Sequence, residues 1–158
     1  RKKRYIKKIT NKIIVKESDA FDDFYPILVD NKKRHNTKPT HTLAELKTLK
    51  KLLPKNIILL LSYYNNKIIG GSLNFVTNDR TCILFYNMIN YEYKDLQVAS
   101  LQIYQSLRWA KENKLQYLDI GVSQLYDEEK IIPHDSLINF KEKFGAKAMI
   151  RKVMNLKL

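Results

Sequence analysis

Ile57-Ile58-Leu59-Leu60-Leu61-Ser62-Tyr63-Tyr64, then Asn65-Asn66, then Lys67-Ile68-Ile69-Gly70-Gly71-Ser72-Leu73-Asn74-Phe75-Val76: this stretch decides the fold. The first block reads as a continuous apolar strand, the pattern of a strand buried on both faces. Asn65-Asn66 is a two-residue turn signal, because asparagine tolerates the left-handed backbone of a tight hairpin. Lys67 to Val76 is therefore expected to return antiparallel. Gly70-Gly71 inside that strand marks a bulge, or a place where another chain or a ligand approaches closely. Thr77 to Arg80 turns again and Cys82 to Ile89 gives a third strand. The centre is a three-strand meander.

Upstream, Ile13-Ile14-Val15 within Lys12 to Glu17 reads as a strand. A helix is expected from about Asp22 with an Asp as cap, its buried face made by Phe21, Phe24, Tyr25 and Leu28 at helical spacing. Pro26 is tolerated near the first turn. Arg34 to His41 is a loop, and Thr42-Leu43-Ala44-Glu45 fits a capping box that starts a second helix. Leu46, Leu49 and Leu53 line that helix, and Pro54 ends it. Downstream, Leu96 to about Asn113 is helical, with Leu96, Ala99, Ile103, Leu107 and Ala110 on one face. Tyr117 to Gly121 is a short strand and Ser123 to Asp135 a polar loop. Ser136 caps a helix that stops at Gly145, and Met149 to Leu158 makes a last strand. The order strand-helix-helix-three strands-helix-strand-helix-strand predicts an α/β (α+β) chain. Its sheet is mixed and mostly antiparallel, with a parallel crossover and helices on both faces.

At 158 residues and 44% hydrophobic, the chain is the size of one domain with a real core. No apolar run approaches the about 20 residues that cross a bilayer. A single cysteine excludes an internal disulfide framework and a Cys-rich metal cage. Arg1-Lys2-Lys3-Arg4 leads into no small-residue cleavage site, and a cytoplasmic protein is the expectation. The chain opens in that basic run without a Met, as a piece of a longer protein would. Lys and Arg number 29 against 16 Asp and Glu, a net charge of +13. Such a charge favours anionic partners: nucleic acid, nucleotides, cofactor phosphates or a membrane surface.

Three segments resemble a known family. Phe24-Tyr25 through Lys33-Arg34-His35 to Lys38-Pro39, Leu118-Asp119-Ile120-Gly121, and Phe140-Lys141-Glu142-Lys143-Phe144-Gly145-Ala146 are similar, in this order, to motifs of the FemAB-like branch of the GNAT acyltransferases. That branch comprises the peptidoglycan-bridge aminoacyltransferases and their acetyltransferase-like relatives. The resemblance spans essentially the whole chain and implies a GNAT fold and acyl or aminoacyl transfer. It also implies that Arg1 to Thr10 is the end of a basic segment before the second of two tandem domains. One departure stands out. Acetyl-CoA users of the wider fold resemble each other in a glycine-rich loop after the third meander strand, whose N–H groups cradle the pyrophosphate. Here Asn90 to Val98 contains no glycine, and Glu92 and Asp95 oppose phosphate with only Lys94 in favour. The FemAB-like branch generally lacks that loop too.

Lys141 falls inside the arc of Leu137, Phe140 and Phe144 on a helical wheel, and a lysine so placed reaches an anion or a cleft, or snorkels at the domain edge. The resemblance links the lysine of this motif to donor binding and transfer. Asp119 ends a strand at a switch point, where open sheets bind ligands. It either accepts a proton from the acceptor amine or caps its loop. Arg34 and His35 are the candidates for an acceptor's carboxylate or phosphate, or are surface groups. Asn87 and Asn90 flank the strand edge where the resemblance places the donor, and either bond an amide of a substrate's arm or are strand-end turn residues; Tyr91, with Tyr93 and Lys94, is a substrate-stacking patch or core or interface packing. Met88, Ile89, Tyr93 and Lys94 lie where the resemblance places the donor. No metal site is expected, since His35, His41 and His134 lack ligand spacing. Ser123 and Ser136 lack a nucleophile elbow, and Cys82 reads as core.

The expected activity is acyl or aminoacyl transfer to an amine on a small molecule or peptide. The donor is acyl-CoA or aminoacyl-tRNA, and no cofactor is held tightly. The alternatives are a non-catalytic module binding tRNA or another anionic partner, and a conventional small CoA-dependent N-acetyltransferase.

Overall fold

Strands β1 (Ile14–Glu17), β2 (Ile57–Tyr64), β3 (Lys67–Val76) and β4 (Thr81–Ile89) are successive antiparallel neighbours. β5 (Tyr117–Asp119) joins β4 in parallel, completing a five-stranded sheet in the order β1-β2-β3-β4-β5. The hairpin between β2 and β3 turns on Asn65 and Asn66, both left-handed (φ 48° and 61°). Two left-handed residues in a row match the twist of the strands they join. The computed structural model describes residues 12–127 and 130–149, which fall into two units, one ending at Gly121 and the other beginning at Val122.

In the first unit, α1 (Phe21–Arg34) and α2 (Leu43–Leu52) cover one face of the sheet. Phe21, Phe24 and Leu28 of α1 and Leu46 of α2 pack on Ile57, Leu59, Leu61, Leu73 and Tyr86. Each such side chain stabilises the fold by about 1.5–3 kcal/mol relative to exposure. α3 (Val98–Glu112) covers the other face, contacting it through Gln102 and Ser106. Thr42 and Glu45 form the expected reciprocal cap of α2: the Thr42 hydroxyl accepts the Glu45 N–H at 3.2 Å and the Glu45 carboxylate accepts the Thr42 N–H at 2.7 Å. The two glycines of β3 answer to neighbours. A Cβ at Gly71 would stand 2.8 Å from the Phe24 ring, and one at Gly70 would stand 2.6 Å from the Met88 carbonyl oxygen. The expected bulge is there too, since Ile69 has no partner between Ser62↔Gly70 and Tyr63↔Ile68.

Several expectations are corrected. The first helix starts at Phe21 and no Asp caps it; Ala20 is its N-cap, and the Ser18 hydroxyl accepts the Ala20 N–H at 3.1 Å. The third helix starts at Val98 rather than Leu96, because Tyr91–Leu96 forms a 3-10 helix of its own and Gln97 breaks the run with φ 50°. The buried stripe of α3 keeps the expected Ile103 and Ala110 but also takes in Gln102 and Ser106, while Leu107 is 37% exposed. Polar partners on β2 and β3 draw those two side chains inward, which apolar periodicity alone cannot reveal.

In the second unit, the expected polar loop holds a hairpin of β6 (Gln124–Asp127) and β7 (Lys130–Pro133). Leu125-Tyr126 and Ile131-Ile132 are strand formers, outweighed in the sequence by the charges between them. α4 (Asp135–Glu142) follows, with His134 as its N-cap and no side-chain cap, so Ser136 does not cap it. The Ser136 hydroxyl instead meets His134 Nδ1 at 3.1 Å. The chain turns through Gly145 at φ 84°, the left-handed position for which glycine is suited. The last expected strand falls at 150–158 but for Met149, and the basic opening at 1–11; both lie outside the described residues. Among the described residues, no helix is long and apolar enough to cross a membrane.

Candidate functional site

The site follows from how briefly β5 pairs. Its partners on β4 are Thr81, Cys82 and Ile83 alone, and the pairing stops at Ile83↔Asp119. From Leu84 to Ile89, β4 has no neighbouring strand on that side among the described residues. The Asn90 N–H donates to Ile69 O of β3 at 2.8 Å. Backbone groups alternate in direction along a strand, so those of Ile89 and Asn87 turn outward to the open edge. A sheet edge with outward N–H and C=O groups binds an extended, amide-bearing chain, with main-chain hydrogen bonds supplying the affinity.

The end of this edge is tied to the last turn of α1. Asn31 donates to Ile89 O at 2.7 Å and accepts the Ile89 N–H at 3.2 Å. Three residues on, the Arg34 guanidinium lies over the Tyr91 ring, 4.2 Å from its centroid, while its Nε donates to Asp30 at 2.8 Å. That hydrogen bond to Asp30, with the carboxylate's charge, raises the Arg34 pKa above its already high ordinary value. Arg34 and Tyr91, both candidates for the substrates, are thus brought together. His35 follows them on the exposed surface after α1.

Beyond β4, the glycine-free junction forms the 3-10 helix Tyr91–Leu96. Asn90 caps it, its side-chain oxygen accepting the Glu92 N–H at 3.0 Å. Tyr93 meets Tyr64 edge-on at 6.1 Å, and Lys94 is exposed beside Glu92 and Asp95. Gln97 takes the left-handed conformation before α3 that glycine adopts at least cost. The backbone geometry is present here without the residue type usually chosen for it.

The remaining candidates separate. Met88 packs against the apolar core, and its carbonyl accepts from Gln102 Nε2 at 3.3 Å. Asn87 turns its side chain inward and donates to Ala99 O in the first turn of α3 at 3.1 Å. Asp119, at the last paired position of β5, accepts the Gly121 N–H at 2.7 Å. Lys141, half-buried on α4, donates to Val122 O at 2.8 Å within the second unit. Burial pushes the Cys82 thiol up to about 12, so it stays protonated and is no nucleophile near neutral pH. Among the described residues, no group of three or more His, Cys, Asp or Glu stands ready for a metal ion.

Sequence reasoning passed over two residues that shape the site. Asn31 continues the stripe of Phe24 and Leu28 at helical spacing, and a polar residue on a buried stripe is the signal that marks it. Gln102 is the other: fully buried, its Nε2 donates to Ser62 Oγ at 3.2 Å as well as to Met88 O. Around it, Ser72 and Ser106 share a hydrogen bond at 3.1 Å, and Asn74 lies buried nearby on Ser72. The amide oxygens of Asn74, Asn87 and Gln102 have no partner among the described residues. A shallow groove of about 250 Å³, lined in part by Lys16, Glu17, Arg108 and Trp109, adjoins β1 at the opposite edge of the sheet and holds none of these groups.

Comparison with known proteins agrees with this architecture. The family model described as acetyltransferase (GNAT) domain matches residues 1–130. No curated protein matches the sequence. Among solved structures, an aminoglycoside acetyltransferase from an uncultured soil metagenomic sample, in complex with sisomicin, is similar over 94% of this chain and 99% of its own, at 13% identity and a TM-score of 0.64. An acetyltransferase from Streptococcus agalactiae is similar over 93% and 90%, at 14% identity and a TM-score of 0.64. A GNAT family acetyltransferase from Elizabethkingia anophelis with acetyl-CoA bound is similar over 85% and 75%, at 15% identity and a TM-score of 0.56. At these identities the likeness is one of fold.

Proposed function

The chain belongs to the acetyltransferase (GNAT) domain family, and from that premise we propose that it moves an acyl group from an acyl thioester, such as acyl-CoA, to an amine. The observation that carries the proposal is the open edge of β4 past Ile83. The donor's amide arm lies along that edge as an added strand would, and its carbonyl meets the outward N–H of Asn87. The neutral amine nitrogen attacks the thioester carbon, and negative charge develops on the carbonyl oxygen. That N–H opposes the charge at a fixed position, with no reorganisation needed during the step. The carbon–sulfur bond then breaks, the amide forms, and the departing thiolate is protonated as the nitrogen gives up its proton. Asp119, at the strand end where the edge opens, is the group we assign to take that proton from the nitrogen and pass it on to the thiolate.

Arg34 and His35 are assigned to the acceptor. The chain's charge of +13 favours an amine that also carries a carboxylate or phosphate over a polycation such as an aminoglycoside. The FemAB-like motifs support a second donor, aminoacyl-tRNA. One observation favours it: Glu92 and Asp95 occupy the glycine-free junction where a CoA pyrophosphate would approach. A transfer assay run in parallel with labelled acetyl-CoA and with charged tRNA, against amino acids, amino sugars and their phosphates, tests both. Transfer from acetyl-CoA to an acidic amine is the expected result. Neither turnover nor binding with either donor would end the enzyme reading.

A further inference from the structure

Asn31 is only 6% exposed, on the stripe of α1 that otherwise carries Phe24 and Leu28. Burying an amide is unfavourable unless its polar atoms are bonded. Here Nδ2 donates to Ile89 O at 2.7 Å and to Ile27 O at 2.8 Å, and Oδ1 accepts the Ile89 N–H at 3.2 Å. A side-chain amide that takes both the N–H and the C=O of one strand residue does what a neighbouring strand would do. It does so on the stretch of β4 that β5 leaves unpaired.

Resting on the acyl-transfer reading, we infer that Asn31 is a positioning residue: it closes the Ile89 end of the β4 edge, so that the donor's amide arm pairs at Asn87 in one register only. The outward positions Asn87 and Ile89 are two residues apart, about 7 Å along a strand. An arm paired at Ile89 would hold its thioester that far from where pairing at Asn87 holds it. A displacement of that size takes the acyl carbon out of reach of the amine, and such binding is unproductive. By occupying both backbone groups of Ile89, Asn31 removes the second register.

Amide NMR on the full ¹⁵N-labelled chain, with acetyl-CoA as the probe, tests this directly. In the wild type, acetyl-CoA is expected to shift and protect the Asn87 amide. The Ile89 amide, already protected without ligand, should not respond. In Asn31→Ala, the Ile89 amide should exchange about tenfold faster without ligand and become protected when acetyl-CoA is added. Its kcat and KM for acetyl-CoA should fall by a common factor as unproductive binding appears, whereas partial unfolding would lower kcat alone. Asn31→Asp keeps an acceptor for the Ile89 N–H but has no donor for Ile89 O and Ile27 O, so it should retain the N–H protection, release the carbonyl and bring back the second register. If Asn31→Ala does not fold, the wild type and Asn31→Asp carry the test. A response of the Ile89 amide to acetyl-CoA in the wild type overturns the inference and leaves acyl transfer standing. So does unchanged Ile89 exchange in a folded Asn31→Ala. Absence of acetyl-CoA binding by the wild type overturns the acyl-CoA reading and this inference together.

Discussion

The two faces of the sheet in the first unit differ in how much polar chemistry they bury. Toward α1 and α2 it presents Ile57, Leu59, Leu61, Leu73 and Tyr86 to Phe21, Phe24, Leu28 and Leu46, an apolar layer without a buried polar side chain of its own until Asn31. Toward α3 it sets Ser62, Ser72 and Asn74, with Gln102 and Ser106, among apolar side chains such as Ile58, Leu60 and Leu101, and three amide oxygens are left over. An apolar layer gains in proportion to the area it removes from water. A polar layer exchanges water's hydrogen bonds for its own and gains little net. The α1–α2 face therefore contributes the larger uninterrupted apolar layer, and the polar groups of the α3 face specify how one helix lies beside the open edge of β4.

Substitutions that strike each face sharpen or break this contrast. Phe24→Ala should have the largest effect, a loss of about 3–5 kcal/mol in urea unfolding, because it empties the centre of the apolar layer. Gly71→Ala comes next, at about 1–3 kcal/mol, since the new Cβ would crowd both the Phe24 ring and the Leu61 side chain. Thr42→Ala removes the cap of α2 and should cost about 1 kcal/mol. The Thr42 backbone N–H, and then its hydroxyl, hold the Glu45 carboxyl below its ordinary 4.5. A lowered folded-state value means that this carboxylate's contribution is present above about 4.5 and is lost as pH falls below it. Thr42→Ala keeps the backbone N–H and loses only the hydroxyl's share, so the wild type and the variant should draw only partly closer in stability as acid titrates the box, which pH-dependent unfolding would show. Gln102→Leu should be the mildest, within about 1 kcal/mol, because it deletes an orphaned amide oxygen along with two modest hydrogen bonds. If Gln102→Leu instead costs as much as Phe24→Ala, the contrast between the faces is wrong.

Where one residue type dictates its own local geometry, the sequence was a sufficient guide. Asn65-Asn66 turned the hairpin, and Thr42 with Glu45 closed the cap. Periodicity was a weaker guide wherever the partner was polar: Leu107 and Ala99 completed an apolar stripe on paper, yet Gln102 and Ser106 face the sheet. The hairpin β6–β7 was hidden because charged residues separate its two short strand-forming runs. Of the candidate site, Arg34 with Tyr91 and the edge residues Asn87 and Ile89 were identifiable from the sequence through a resemblance. Asn31 was not, because its value lies in a bond to a residue 58 positions away.

The central meander, the α-helical segments and a large positive charge follow from the chain alone, since they depend on neighbours within a few residues and on composition. That β5 releases β4 after Ile83, and that an asparagine from α1 then takes the vacated edge at Ile89, was decided only in three dimensions. Backbone donors and acceptors are the same at every residue. Which of them remain available for a ligand depends on what the folded chain has already placed beside them.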